Sequence, residues 1–424
     1  MLHELIGFPH GYGFQSSSGS LISRYRGARS ACARRDGQRA VRGNGEGVLQ
    51  LDTGNSAEKA EEMLSRLREL TDAPIFAIVY SHGHLGYNDA VETWLTHCAE
   101  RGDPRPRVIA QENLVTRWER YRETEGLQKF FAEIQLRLPV GILEKHPLVL
   151  EMPDETFRKS LVLEDSKRRV ELLWAPSETD DALALWLPRE KILYGGAAVT
   201  PNIPNIGTPL RTQRYAIRWA ETLDRLAALE PDLMVMEFGP SVEGAEKIQE
   251  VLQSMAAALR WVRERVVEGL NRGMGIEEIL EGLEYPEELF GLPWMTPTYG
   301  HPDFIARDIF RSETGWWDRN PTNLHPATPD AAGAAILSAL TDRGAVLARA
   351  NELLSAGEPQ LALHVVDLLA LAPGETPEVV EARLLKARIC RTLAEEAPSF
   401  VSQSLYISSG RILKRGAPHP TGIR

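Results

Sequence analysis

Tyr80-Ser81-His82-Gly83-His84-Leu85-Gly86-Tyr87-Asn88 follows directly on an apolar run, Pro74-Ile75-Phe76-Ala77-Ile78-Val79. The run is rich in β-branched and aromatic residues and reads as a buried strand. It ends in two histidines spaced i, i+2 about a glycine. Extended backbone at a strand end lets both imidazoles turn toward one point. A divalent metal needs that arrangement: neutral nitrogen donors, close together, on a rigid support. An isolated H-x-H is also compatible with loop histidines bonded to backbone, so the rest of the chain decides between the two.

Upstream, Val48-Leu49-Gln50-Leu51-Asp52-Thr53-Gly54 alternates as a short strand does and ends in a turn with a carboxylate at its tip. Residues 56–70 read as an amphipathic helix capped by Asn55 or Ser56, with Ala60, Met63, Leu64 and Leu67 on one face. Before this, residues 15–47 are rich in Ser, Arg and Gly and show no period. The segment 1–47 is therefore expected to be a poorly ordered or degenerate leader; its composition is also that of a transit peptide.

Downstream, a helix is expected over 89–101, a short strand at Val108-Ile109-Ala110, and one long charged helix over 115–134. Strands follow at Leu148-Val149-Leu150, at 159–163 and at 169–174, then a strand pair at 182–186 and 191–194. A helix over 214–229 and a buried strand at 232–236 complete a layered α/β unit with mixed sheets, residues 48–244. From 245 to 424 the pattern is helical. Thr314-Gly315-Trp316-Trp317-Asp318-Arg319-Asn320-Pro321 forms a Gly/Pro-bounded loop whose tryptophans read as packing anchors. The Ala/Leu-rich stretch after Ala331 holds about one or two helix pairs of the tetratricopeptide kind, too few to stand alone.

A net charge of −11 argues against nucleic acid as a general partner. The sparse cysteines Cys32, Cys98 and Cys390 have neither zinc-finger nor disulfide spacing and fit a reducing compartment. No run reaches the roughly 18 apolar residues of a membrane span, and the first residues lack a secretory pattern. The expectation is a cytoplasmic chain with no membrane span.

Taken together, Leu51-Asp52-Thr53-Gly54, Ser81-His82-Gly83-His84, Val108 through Leu114, Glu178-Thr179-Asp180-Asp181-Ala182-Leu183, Asn205 through Tyr215 and Gly315 through Pro321 resemble the metallo-β-lactamase superfamily, in particular its alkyl sulfatase-like branch. The resemblance covers residues 48–396. It implies an αββα sandwich followed by an all-α, tetratricopeptide-like dimerisation domain, and hence a homodimer. The lipid domain frequent in that branch is not expected here.

The resemblance also implies a metal edge. His82, His84 and Glu178 would hold one zinc. The second metal of the family lacks its ligands: Gly86 and Tyr87 replace an Asp-His pair, Ala197 takes the bridging position, and Phe238 stands at a histidine. Tyr87 and Asp181 are candidate catalytic residues. Asn205, Arg211 and Arg214 are candidate contacts for a small anionic ester, with Arg214 in the first turn of its helix. The implied chemistry is attack of zinc-bound hydroxide on a sulfate or related ester through a single-metal site. The alternative is a non-catalytic dimeric scaffold with a decayed metal site.

Overall fold

The computed structural model describes residues 32–33, 39–42, 47–164 and 168–416. Two mixed sheets face each other. The first runs β1(Cys32–Ala33), β2(Arg39–Arg42), β3(Val48–Leu51), β4(Ile75–Val79), β5(Arg107–Gln111), β6(Glu155–Phe157), in that order. The second runs β12(Val242–Glu243), β11(Leu233–Val235), β10(Ile192–Tyr194), β9(Leu183–Leu187), β8(Arg169–Trp174), β7(Ser160–Glu164).

The period of two along each strand sorts the side chains into layers. Leu49, Leu51, Ala77, Val79 and Ile109 point inward and meet Leu172, Leu183, Leu185 and Tyr194 of the facing sheet. Val48, Ile78 and Val108 point outward and bury Leu64, Trp94 and Trp118 from the helices Ala57–Leu70, Val91–Glu100 and Asn113–Glu123. On the far side, Ala184, Trp186 and Met234 pack on Trp219 and Leu223 of Ala216–Ala227 and on Val251 and Leu259 of Ala245–Asn271. The result is the expected αββα order.

Several local expectations need correction. The sequence suggested no strand before Val48, yet β1 and β2 pair antiparallel and extend β3, with Arg39 opposite Leu51. An otherwise open sheet edge supplies the hydrogen bonds that Arg39-Ala40-Val41-Arg42 could not announce by pattern. Most of the proposed leader, 1–47, lies outside the described residues. Leu148-Val149-Leu150 is not a strand: the side chain of Arg122 donates to Leu150 O, and Leu148 N–H donates to Glu125. The long helix breaks at Thr124 into Asn113–Glu123 and Glu125–Gln135, where the Thr124 hydroxyl bonds back to Arg120 O.

Beyond the sandwich, the helices Arg343–Ser355, Pro359–Ala370 and Pro377–Glu396 pack as antiparallel neighbours around Leu353, Val366, Leu369 and Leu385. The last helix, Phe400–Lys414, returns to the sandwich: Arg137 donates to Ser404 and Gln403, and Ser408 donates to Ile134 O. The tryptophan pair does not anchor packing within the chain, since Trp316 is 75% exposed and Trp317 37%. Among the described residues, no single helix is long and apolar enough to cross a membrane.

A second junction lies under the loop 200–214. Ile203 N–H donates to Thr296 O, and Arg214 N–H donates to Asp308 on the helix Pro302–Thr314. At Gly207, φ is +71° and a Cβ would lie 1.9 Å from Phe304 O. Only glycine lets the loop lie directly on that helix backbone. Gly207→Ala is expected to destabilise the chain by about 3 kcal/mol through this clash and the left-handed backbone, read as a lower midpoint in chemical denaturation.

Candidate metal centre

One edge of the sandwich collects the strand ends. The parallel β3 and β4 deliver Asp52 and the H-x-H loop to the same end, and the turn between β8 and β9 meets them from the other sheet. Leu183 N–H donates to Ser81 O at 3.0 Å, stitching the two sheets at this point.

His82 is fully buried and His84 partly so. His82 Nε2 and His84 Nδ1 face each other at 2.8 Å, and Glu178 Oε2 lies 3.8 Å from the latter. Their donor atoms lie within 4.8 Å of one another, and among the described residues no other such cluster forms. Ser81 Oγ sits 3.0 Å from His82 Nδ1. If Nδ1–H donates to that oxygen, the Nε2 lone pair is left facing the cluster. Burial holds the His84 pKa well below its ordinary value, and His82 and the nearby Arg214, Arg117 and Arg211 add to this. A neutral imidazole is the form a metal needs.

Two imidazoles and one carboxylate fit a single zinc with a position left open. The donor set stops there. Gly86 offers no side chain, Ala197 is a buried methyl, and Phe238 is apolar and 43% exposed. Tyr87 lays its ring against His82 at 4.4 Å. Burial first, and then the charge of Glu237 and the hydrogen bond to it, hold its phenol well above its usual pKa, so it stays protonated and is a poor ligand.

The two proposed catalytic residues both lie against the histidine loop. The Tyr87 ring packs on His82, with the charge of Glu237 nearby. Asp181 is wholly buried; its Oδ2 accepts Gly83 N–H at 2.5 Å and its Oδ1 accepts Arg117 Nε at 2.6 Å. It grips the peptide between the two histidines. A Cβ at Gly83 would lie 2.8 Å from the Arg117 side chain and 3.0 Å from Asp181, so this approach requires glycine. Asp52 completes the support, accepting Ser81 N–H at 2.8 Å and Asn88 Nδ2 at 3.0 Å.

The three anion-side residues also divide. Asn205 donates to Glu178 Oε1 at 2.7 Å and Arg214 donates to the same oxygen at 3.0 Å. Both therefore hold the Glu178 carboxylate in place. Arg214 also precedes its helix instead of opening it: the helix starts at Ala216, after extended Tyr215. Asp308 takes the Arg214 N–H and holds it outside. Arg211 differs, because its side-chain partner is the neutral amide of Gln135, and among the described residues it makes no carboxylate ion pair. Sequence reading missed Arg117, Gln135 and Tyr299. Arg117 and Gln135 lie on helices whose pattern speaks only of packing, and Tyr299 lies in a turn distant in sequence.

These strand ends, helices and donors define the class: a metallo-β-lactamase-type sandwich with its donors on one edge. The solved structure of the stereoselective inverting sec-alkylsulfatase Pisa1 from a Pseudomonas species shares the fold, with a TM-score of 0.77, 20% identity, and coverage of 90% of this chain and 63% of that one. Residues 275–416 match the family model described as alkyl sulfatase dimerisation. A linear primary-alkylsulfatase from a Pseudomonas strain is 28% identical over 390 residues, covering 87% of this chain and 72% of that protein. An alkyl/aryl-sulfatase of Saccharomyces cerevisiae is 23% identical over 393 residues, covering 88% and 60%. Residues 275–416 thus match the alkyl sulfatase dimerisation family, and the chain as a whole is similar in sequence and fold to alkylsulfatases.

Two outcomes follow from this geometry. Asp181→Asn keeps the shape of the clamp but removes its charge, and should weaken zinc affinity by about 10- to 100-fold in a chelator competition. Asp89, beside the loop, accepts Gly86 N–H at 3.2 Å, while burial raises its pKa to about 6. An acid with a raised folded pKa costs stability where it is ionised. That cost is complete above pH 6 and fades as pH falls toward the ordinary value of 3.8. Asp89→Asn should therefore raise the melting temperature at pH 8 and have little effect at pH 4.

Proposed function

We propose that this chain hydrolyses alkyl sulfate esters at a centre built for one zinc, held by His82, His84 and Glu178. The observation that carries this reading is the convergence of those three donors within 4.8 Å of one another, with Arg211 nearby as a guanidinium whose side-chain partner is a neutral amide. Bound zinc would supply Lewis acidity, polarising an ester oxygen and drawing the pKa of a water toward ~7.

The protein's own groups supply the rest. Arg211 offers an unneutralised charge to the sulfate group. Burial depresses its pKa, so a bound anion would relieve a desolvation cost as well as satisfy the donors. Asn205 and Arg214 fix the orientation of Glu178. Asp181, Arg117 and Ser81 hold the histidines. Water and a sulfate monoester become an alcohol and hydrogen sulfate. The alkylsulfatase relatives support the sulfate ester class; the chain covers 72% of one of them and 60% of another, so their activity enters here as part of the proposal.

We further propose a homodimer through the helical unit. Leu361, Leu368, Val380 and Leu384 are exposed on neighbouring helices, and Trp316 projects from its loop. Apolar surface of this kind favours burial against another copy.

Purified protein should carry about one zinc per chain by elemental analysis. A content below about 0.2 would favour the non-catalytic dimeric scaffold, and a content near two would mean that donors beyond these three take part. His84→Ala should remove both the zinc and the hydrolysis of a primary alkyl sulfate. Light scattering at micromolar concentration should give twice the chain mass of 47.2 kDa; a value at 47.2 kDa would overturn the dimer.

A further inference from the structure

Three arginines surround the centre, and two of them are spent. Arg117 is paired with Asp180 and Asp181, and Arg214 with Glu178. The third, Arg211, donates through Nη2 to Gln135 Oε1. Gln135 is buried, at the end of the helix Glu125–Gln135. Its other end, Nε2, donates to the Tyr299 hydroxyl at 2.7 Å.

Tyr299 reaches the site from outside the sandwich. Its ring stacks on Phe400, with centroids 5.9 Å apart and planes 14° from parallel. Its carbonyl accepts Val401 N–H at 3.2 Å, and the neighbouring Thr298 O accepts Phe400 N–H at 2.8 Å. The start of the C-terminal helix thus fixes where the phenol lies.

We propose that Gln135 and Tyr299 are positioning residues for Arg211, a relay in which the phenol locks the amide and the amide aims the guanidinium without neutralising it. The proposal rests on the reading of Arg211 as the anion receptor. An amide has a donor end and an acceptor end, and only one orientation serves both neighbours. With Nε2 held by the phenol oxygen, Oε1 must face the arginine; the flipped amide would set NH2 against guanidinium. The neutrality of the amide matters equally. A carboxylate in its place would form a charge-assisted pair and compete with any incoming anion. The relay also draws on three distant parts of the chain, at positions 135, 211 and 299. The anion subsite is therefore complete only when the sandwich, the loop 200–214 and the helical unit are assembled.

Gln135→Glu separates this role from plain packing. It is nearly isosteric and would bind Arg211 more tightly, so a structural role would be kept or strengthened. On the full-length, metal-loaded protein, calorimetric titration with inorganic sulfate should show affinity weakened by about 10-fold or more. KM for a primary alkyl sulfate should rise by a similar factor and more than kcat falls, with the melting temperature unchanged or higher. Tyr299→Phe, which removes one oxygen, should raise KM about three- to tenfold. Wild-type sulfate affinity and KM in both variants would overturn the relay. Arg211→Gln distinguishes the two layers. If it abolishes sulfate binding while Q135E and Y299F behave as wild type, the relay fails and the receptor stands. If R211Q binds sulfate as wild type does, the receptor reading itself fails.

Discussion

The carboxylate of Asp181 ties the two sheets together at the edge where the histidines lie. It comes from the hairpin between β8 and β9, accepts the Gly83 N–H from the loop after β4, and pairs with Arg117 from a covering helix. It is fully buried, so every partner counts. Removing one member of such a buried pair costs about 3–5 kcal/mol, a large share of the ~5–15 kcal/mol that holds a domain folded. The same bonds dictate glycine between the histidines. The spacing of the motif therefore follows from the clamp as much as from the donors: a side chain at position 83 would push Asp181 and Arg117 apart.

The layers were legible because they depend on a period. Alternation along 48–51, the continuous apolar run 75–79 and helical spacing along 57–70 each mark a buried element without any knowledge of its partners. His82, His84 and Glu178 were legible through resemblance, and the structure brings them together. The roles around them were not. Tyr87 and Asp181 are polar residues beside a motif, and sequence cannot say which neighbour takes their hydrogen bonds. Asp181 accepts the Gly83 N–H and Tyr87 packs on His82, and both neighbours are fixed only by the fold. Arg214 and Arg211 look alike in sequence; what separates them is whether a carboxylate or an amide lies opposite. β1 and β2 escaped notice because the edge of β3, and not their own pattern, makes them strands.

On the proposed reading, the centre would keep one half of the paired arrangement that the resemblance implies. Where donors for a second ion would lie there are a methyl, a hydrogen and two aromatic rings, one of them packed on His82. Aromatic packing at this position stiffens the histidine loop from the side that a second ion would otherwise hold. Charge is economised in the same way. Two of the three nearby guanidinium groups pair with acids, and the third, Arg211, faces a neutral amide.

Gly207 lies with its backbone against the carbonyl of Phe304, with no room for even a methyl group between them. The seam between sandwich and helices is thus drawn at atomic contact distance, beneath the loop that carries Arg211 and Arg214. Units joined so closely are poor candidates for exchange by recombination. A crossover between the sandwich and its helices would have to bring a matching groove as well as a matching helix. Inheritance of the two parts as one block is the expected evolutionary signature of that contact.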